Sequence, residues 1–212
     1  MANRNATYKA LQRRRRLTRR ARRKHETHER ILESARTIAR REGLRASSVS
    51  RVMSGAGLTV GGFYAHFPSK TAMDVEVIRT LLGNLPGRWL SGLEEFSGLE
   101  WVRQAVGRYL NVAHRDYPDG CPYSAVLSEI AAAPDEVRHE FAVALEARVR
   151  AFEAHVPRIP GFTVRERALA TMALTIGGLL LSRASRGNPI SEGMLVACKR
   201  WALPELDGVE SR

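Results

Sequence analysis

Residues 57–67 read GLTVGGFYAHF. Phe63 and Phe67 stand four apart, as do Val60 and Tyr64, so the stretch carries two adjacent stripes of a helix. Gly61 and Gly62 interrupt it, although a glycine in a helix interior costs about 1 kcal/mol relative to alanine. A helix from Thr59 to about Ala65 is too short to stand alone, so packing must hold it. The neighbouring sequence supplies the partners. Upstream, Ile31, Leu32, Ala35, Ile38 and Ala39 make one apolar stripe that stops at Gly43, a first helix of about four to five turns beginning near His25. A second, short helix runs from Ser47 or Ser48 to about Ala56, with a serine as N-cap and Gly57 as terminator. Downstream of Pro68 and Ser69, the residues Ala72, Val75, Ile78, Leu82 and Leu85 trace a fourth helix, interrupted at Asn84 and Pro86.

The remainder continues in the same period. Helices are expected at 99–115, 122–133, 134–155, 163–185 and 191–202. The stripe Val137, Phe141, Leu145, Val149, Phe152 and Val156 is the most regular. Pro118 with Gly120, Pro134, Pro157 with Pro160 and Gly161, and Asn188 with Pro189 supply the breaks. The fold class read from this pattern is all-α: three N-terminal helices, then a larger helical body, with no internal repeat of fixed period.

The 212 residues are 44% hydrophobic, enough for one substantial core or a small domain joined to a larger one. The most apolar run, Ala168 to Leu181, is shorter than the roughly 18 residues that would span a bilayer, and Thr171 and Thr175 interrupt it. It reads as a buried helix, with no membrane partner. The polar stretch Thr27 to Glu33 leaves the basic N-terminus without the apolar core of a secretory signal, so a cytoplasmic location is expected. Cys121 and Cys198 are the only cysteines, without CxxC spacing, so neither a disulfide framework nor a metal site is expected. HETHE at 25–29 sets its histidines three apart rather than four, which fits a solvated helix start and not a zinc motif.

The net charge of +12 is concentrated. Eleven of the 34 basic residues lie in residues 1–24 with no acid among them, so the rest of the chain nearly balances its 22 acidic residues. Residues 1–24 are expected to be disordered when free, with Leu11 and Leu17 permitting a transient helix. The partner such a tail suits is a polyanion, bound through counterion release.

Two short helices joined at Gly57 and backed by a longer one match a helix-turn-helix, whose second helix enters the major groove of DNA. In that setting Gly61 and Gly62 remove side chains where the backbone could approach phosphates or base edges, and Tyr64, His66 and Lys70 can serve phosphate.

The segments ERILESARTIARREGLRASSVSRVM (29–53), AGLTVGGFYAHFPSK (56–70) and TAMDVEVIRTLL (71–82) resemble the N-terminal domain of the TetR family of transcriptional repressors. The glycine before the recognition helix, the aromatic pair, His66, Phe67, Ser69 and Lys70 carry the resemblance. It implies a homodimer with a DNA-binding domain at 25–70 and a ligand-binding and dimerisation domain at 71–212. The dimer would hold a palindromic double-stranded operator until a small-molecule effector releases it. By position, Ser48, Ser50, Val60, Gly61, Gly62, Tyr64, His66 and Lys70 would make the DNA contacts. Val60 stands where the family often has a polar or basic reader, and Met53 where a small alanine is common.

The C-terminal half is less diagnostic. The resemblance implies that its last two long helices pair across a two-fold axis, with Ala168, Met172, Leu174, Ile176, Gly177, Leu180 and Leu181 as the apolar surface and Gly177 with Gly178 allowing close approach; an ordinary core within the chain has the same period. Trp89, Trp101, Tyr109, Cys121, Tyr123, Phe141 and Met172 are the candidates for lining an effector pocket. Cys121 has no resolving cysteine nearby, and electrophile sensing is disfavoured. With no phosphate loop, paired metal ligands or nucleophile motif, no enzyme activity and no cofactor are expected. The alternative is a non-specific or architectural nucleic-acid binder driven by the basic tail.

Overall fold

The computed structural model describes residues 2–83 and 91–203, with side chains from residue 19 onward. The helices are α1 (Ala2–Glu42), α2 (Val49–Gly55), a 3-10 helix (Val60–Ala65), α3 (Lys70–Gly83), α4 (Gly98–Tyr109), α5 (Val112–Arg115), α6 (Pro122–Ile130), α7 (Asp135–Glu153), α8 (Val164–Ala184) and α9 (Pro189–Ala202). Among the described residues the one extended pairing is an isolated bridge between Ile159 and Phe162. The all-α reading holds, and among the described residues no helix is long and apolar enough to cross a membrane.

Three elements differ from the sequence reading. The first helix does not begin near His25 but runs back through the basic segment, giving 41 residues and a length of about 60 Å. Neither glycine nor proline occurs in residues 1–42, and arginine, lysine, alanine and glutamine are good helix formers. The third helix is 3-10 and not α: Gly62 N–H donates to the Thr59 carbonyl at 3.1 Å and His66 N–H to the Phe63 carbonyl at 2.9 Å. Two consecutive glycines weaken the α alternative, and the six residues make about two turns of this tighter helix, longer than its usual run and so dependent on the packing of Phe63 and Phe67. The helix expected at 99–115 is two, broken at Leu110 (ψ 67°), after which the Asn111 side chain accepts the His114 N–H at 2.8 Å and starts α5. Asn84, Leu85, Pro86 and the pocket candidate Trp89 lie outside the described residues.

The N-terminal core follows from the stripes. Ile31, Ala35 and Ala39 of α1 are fully buried with Val52 of α2, Phe63, Phe67, and Met73, Val77 and Ile78 of α3. Truncating either phenylalanine to alanine should cost about 3–5 kcal/mol. Helix α3 packs on α1 on one side and on α7 on the other, so it belongs to both halves. In the C-terminal half α8 and α9 form a close antiparallel pair. A Cβ on Gly178 would lie 2.6 Å from Cys198 Sγ, so the absent side chain is what lets these helices close. Gly178 thus permits the expected close approach, here within the chain, and Ala168 and Met172 are buried in the chain's own core and not on a surface between subunits. Beyond Gly177 there is open space.

Candidate nucleic-acid interface and internal cavity

The turn between α2 and the 3-10 helix is fixed from behind by α1. Ser48 caps α2, its side chain accepting from Arg51 N–H, and Gly57 takes φ +68°, the left-handed conformation that ends helices at low cost to glycine alone. Arg30 Nη2 donates to the Ala56 carbonyl at 2.6 Å, satisfying an orphan acceptor at the negative end of α2. Ser34 Oγ donates to the Val52 carbonyl at 2.9 Å, and a Cβ on Gly55 would overlap that hydroxyl. Arg51 forms a fork with Glu42 at 2.8 and 2.9 Å, tying α2 to the end of α1. None of Arg30, Ser34 or Gly55 stands out by periodicity, because their role is set by carbonyls brought close in three dimensions.

With Phe63 and Phe67 fully buried, the opposite side of the 3-10 helix is presented outward: Val60 is half exposed, Gly61 exposed, and Tyr64 is 69% exposed. Ser50 is exposed beside half-buried Ser48, their hydroxyl oxygens 3.3 Å apart. The two glycines separate. A side chain on Gly61 would meet open space, whereas a Cβ on half-buried Gly62 would lie 3.6 Å from Met53 Cε. Met53, large where a small residue is common, fills the room that a larger residue at 62 would need.

His66 and Lys70 face inward as well. His66 is half buried, its ring 6.3 Å from that of His28, and its Nδ1 is buried without a hydrogen-bond partner among the described residues. Burial first, then the charges of His28 and Lys24, lower its pKa, so the ring is neutral at pH 7. Lys70 Nζ lies 2.6 Å from Asp74 Oδ2 and 3.4 Å from the Leu44 carbonyl, committed to a buried carboxylate whose pKa burial raises against Lys70's opposing charge. His28 stacks on Phe67 (4.4 Å between centroids, 25° between planes), and its Nε2 lies 2.8 Å from Glu76 Oε2. HETHE is thus not wholly solvated: His28 prolongs the apolar stripe of Ile31, Leu32 and Ala35 by one turn, a signal present in the sequence. Among the described residues no group of three or more His, Cys, Asp or Glu could hold a metal.

The helical body meets this unit through α6 and the loop before it. Glu129 Oε2 accepts the Arg45 N–H at 2.9 Å and the same carboxylate crowds Gly43, whose φ is +92°. Arg41 pairs with Asp119 at 2.8 Å, and the Arg40 carbonyl lies 3.6 Å from where a Cβ on Gly120 would be. Arg79 of α3 forks onto Glu140 of α7 at 2.7 and 3.0 Å.

Inside the body is a small cavity walled by Ala105, Tyr109, Tyr123, Arg148, Phe152, Met172, Thr175 and Ile176. Of the seven pocket candidates it brings together Tyr109, Tyr123 and Met172. The others that are described lie behind the wall. Trp101 stacks on His155 (4.4 Å, 12°) and meets Phe152 edge-on, Phe141 meets Tyr123 edge-on at 6.2 Å, and buried Cys121 Sγ lies 3.0 Å from Tyr109 Oη. Burial, the neighbouring Cys121 reinforcing it, holds the Tyr109 pKa well above its ordinary value. Sequence reasoning missed Arg148, which is 8% exposed, although it stands seven residues after Phe141 and four before Phe152 on the apolar stripe of α7, where a charged residue among apolar ones is itself the signal.

Residues 31–77 match the family model described as bacterial regulatory proteins, tetR family. Over 113 residues the chain is 30% identical to the HTH-type transcriptional repressor KstR2 of Rhodococcus jostii, covering 51% of this chain and 49% of that protein. Over 76 residues it is 37% identical to the KstR2 of Mycolicibacterium smegmatis, covering 32% of this chain and 37% of that one. The chain thus spans about half the length, or less, of these curated relatives. Its fold is similar to that of a TetR-family regulator from Agrobacterium tumefaciens, with a TM-score of 0.67, 23% identity, and coverage of 85% of this chain and 97% of that one. An N-terminal match on the helix-turn-helix and an all-helical fold shared along most of the length agree: residues 31–77 carry the segment described as tetR family of bacterial regulatory proteins, within a fold similar to that of a solved TetR-family regulator.

Proposed function

We propose that the chain is a transcriptional repressor that binds a palindromic DNA operator as a homodimer and is released by a small molecule held in its helical body. The observation that carries this reading is the division of labour on the 3-10 helix. Phe63 and Phe67 are fully buried, while Val60, Gly61 and Tyr64 are offered outward beside Ser50, with nothing packed over them among the described residues. In the proposed complex Ser48, Ser50, Val60, Gly61 and Tyr64 form the contact face, with Val60 able to meet a thymine methyl. Gly62, His66 and Lys70 hold that face in place from behind. The repressor sign is supported by the names of the two curated relatives.

The dimer is supported by exposed apolar side chains on the α8–α9 pair: Leu169, Leu181, Ile190, Val196 and Trp201, the last 79% exposed. A patch of this kind marks an interaction surface. The link between cavity and DNA face is supported by α6, which presents Tyr123 to the cavity at one end and Glu129 to Arg45 at the other. An effector that favours one position of α6 favours one position of the turn, and the coupling is reciprocal.

Selection of genomic fragments by the purified full chain at moderate salt tests this. The expected result is enrichment of a palindrome with half-sites about one helical turn apart; recovery of fragments without a shared sequence would overturn it. A tail-driven binder is the second reading, favoured by the exposure of Arg19, Arg20, Arg22, Arg23 and Lys24. Deleting residues 1–24 separates the two: the repressor keeps its sequence preference with a reduced salt slope, whereas the tail-driven binder loses nearly all affinity.

A further inference from the structure

Among the described residues Arg148 is a charge without a counter-charge. It is 8% exposed, its Nε is buried with no hydrogen-bond partner, and no carboxylate among the described residues forms an ion pair with it. Its guanidinium carbon lies 5.3 Å from the centroid of the Tyr123 ring, and Tyr123, 2% exposed, has a buried hydroxyl that also lacks a partner. Both side chains line the same cavity. Among the described residues the other buried arginine, Arg115, is held by Asp116 and Ser191, and half-buried Lys70 by Asp74. Leaving one partner of a buried pair uncompensated costs about 3–5 kcal/mol, so a cation kept in this condition needs an account.

The remaining walls restrict what can supply the missing charge. Ala105, Phe152, Met172 and Ile176 are apolar, and Thr175 Oγ1 is already donated to the Thr171 and Met172 carbonyls at 2.9 and 3.0 Å. The polar end of the cavity is therefore Arg148 with Tyr123 and the Tyr109 hydroxyl, and its other end accepts only hydrocarbon. One guanidinium balances one negative charge and its planar fork matches a carboxylate. A phosphate monoester would bring a charge of about −1.5 to −2 and leave much of it unmatched in an apolar enclosure. As it stands the void has room for about one water, so the body must be small and the apolar walls must give way to admit it.

We infer that the cavity is a site for a small organic carboxylate, its carboxylate on Arg148 and Tyr123 and its apolar or aromatic body against Phe152, Met172 and Ile176. The inference rests on the proposed role of the helical body as the effector-binding part and names the effector's class.

The test is calorimetric titration of the full chain with 3-phenylpropanoate and octanoate, each beside its own neutral amide. At least one acid should bind ten-fold or more tightly than its amide. Arg148→Met, similar in length but uncharged, should abolish that preference, and Tyr123→Phe should reduce it several-fold while leaving amide binding unchanged. Should Arg148→Met fold poorly, Arg148→Lys keeps the charge without the fork and should lose most of the preference. Equal binding of acid and amide, binding of neither, or a preference that survives Arg148→Met overturns the inference. Fragment selection on the same preparation keeps the two readings apart. Operator selection without acid preference removes the carboxylate site alone, and acid preference without operator selection removes the repressor alone.

Discussion

Glu129, in the last turn of α6, accepts the backbone N–H of Arg45 at 2.9 Å and stands directly against the hydrogen of Gly43 where any other residue would carry a side chain. Two demands therefore fall on residue 43. It must adopt φ +92°, which costs a non-glycine residue about 1–2 kcal/mol, and it must leave room for a carboxylate. Gly43→Ala should lower unfolding stability by about 2 kcal/mol or more, and in a Glu129→Ala background the cost should shrink by about 1 kcal/mol, since only the backbone strain remains. Urea unfolding of the four proteins in the cycle measures it; purely additive effects would show that the two residues do not meet.

The same carboxylate should couple the two functions. Glu129→Gln keeps the side chain's size but weakens the bond to Arg45. A carboxylate probe that binds the cavity should then bind as before, while its ability to displace DNA falls several-fold. Parallel titrations by calorimetry and by fluorescence anisotropy of labelled operator decide this, and unimpaired displacement would remove α6 from the route.

Gly61 and Gly62 call for different substitutions. Gly61→Leu, pointing into open space, should leave the melting temperature unchanged and weaken operator binding ten-fold or more. Gly62→Leu presses on Met53 and should destabilise the fold by about 1–3 kcal/mol, with recovery in Met53→Ala/Gly62→Leu. Thermal melts and anisotropy on the same samples separate clearance for DNA from clearance for packing.

Much of this was legible before any coordinates. The stripes of Ile31 to Ala39 and of Phe63 and Phe67 placed the helix-turn-helix because burial obeys a period that the sequence displays. The serine N-cap and Gly57 fixed the ends of α2 for local reasons. What the period does not show is direction within a crowded turn. Lys70 and His66 look like donors to phosphate in the sequence, yet Lys70 turns to Asp74 and His66 towards His28 because partners far away in the chain lie closer than solvent. The cavity was half legible for a related reason: aromatic residues announce an apolar interior, but Trp101 and Phe141 fill that interior while Arg148, polar in the sequence, lines the void.

Acid should loosen the fold through one buried and one half-buried imidazole, His114 and His66. Burial lowers the pKa of His114 from 6.5 to about 4, and it lowers that of His66 in the same direction. The unfolded chain then binds protons that the folded chain refuses. Stability is fully present above pH 6.5 and declines as the pH falls towards 4, each histidine contributing a slope of at most about 1.4 kcal/mol per pH unit. Urea unfolding from pH 7.5 to 4.5 should show this decline, with a shallower dependence in His114→Gln; a flat profile would show that neither ring is held neutral by burial.

Charge placed on the outer side of the α8–α9 pair should separate subunits. Val196 and Trp201 are exposed and apolar, so Val196→Glu or Trp201→Glu should give a monomer in sedimentation velocity with helical content unchanged. Operator affinity should fall steeply, since each half-site alone retains only half of the contacts. A monomeric wild type would overturn the dimer, and an unaffected dimer in both variants would place the subunit contact elsewhere.

Helix α6 has nine residues, about 13 Å from end to end. Helices curve with radii of roughly 60–100 Å, so a rod this short has no useful compliance of its own. In the proposed mechanism it would tilt as one piece about the buried Val126, between Tyr123 and Glu129. A displacement at the first turn would then reach the last one reversed in sense. A glycine at 126 would soften the rod, letting the cavity fill while Arg45 stays still.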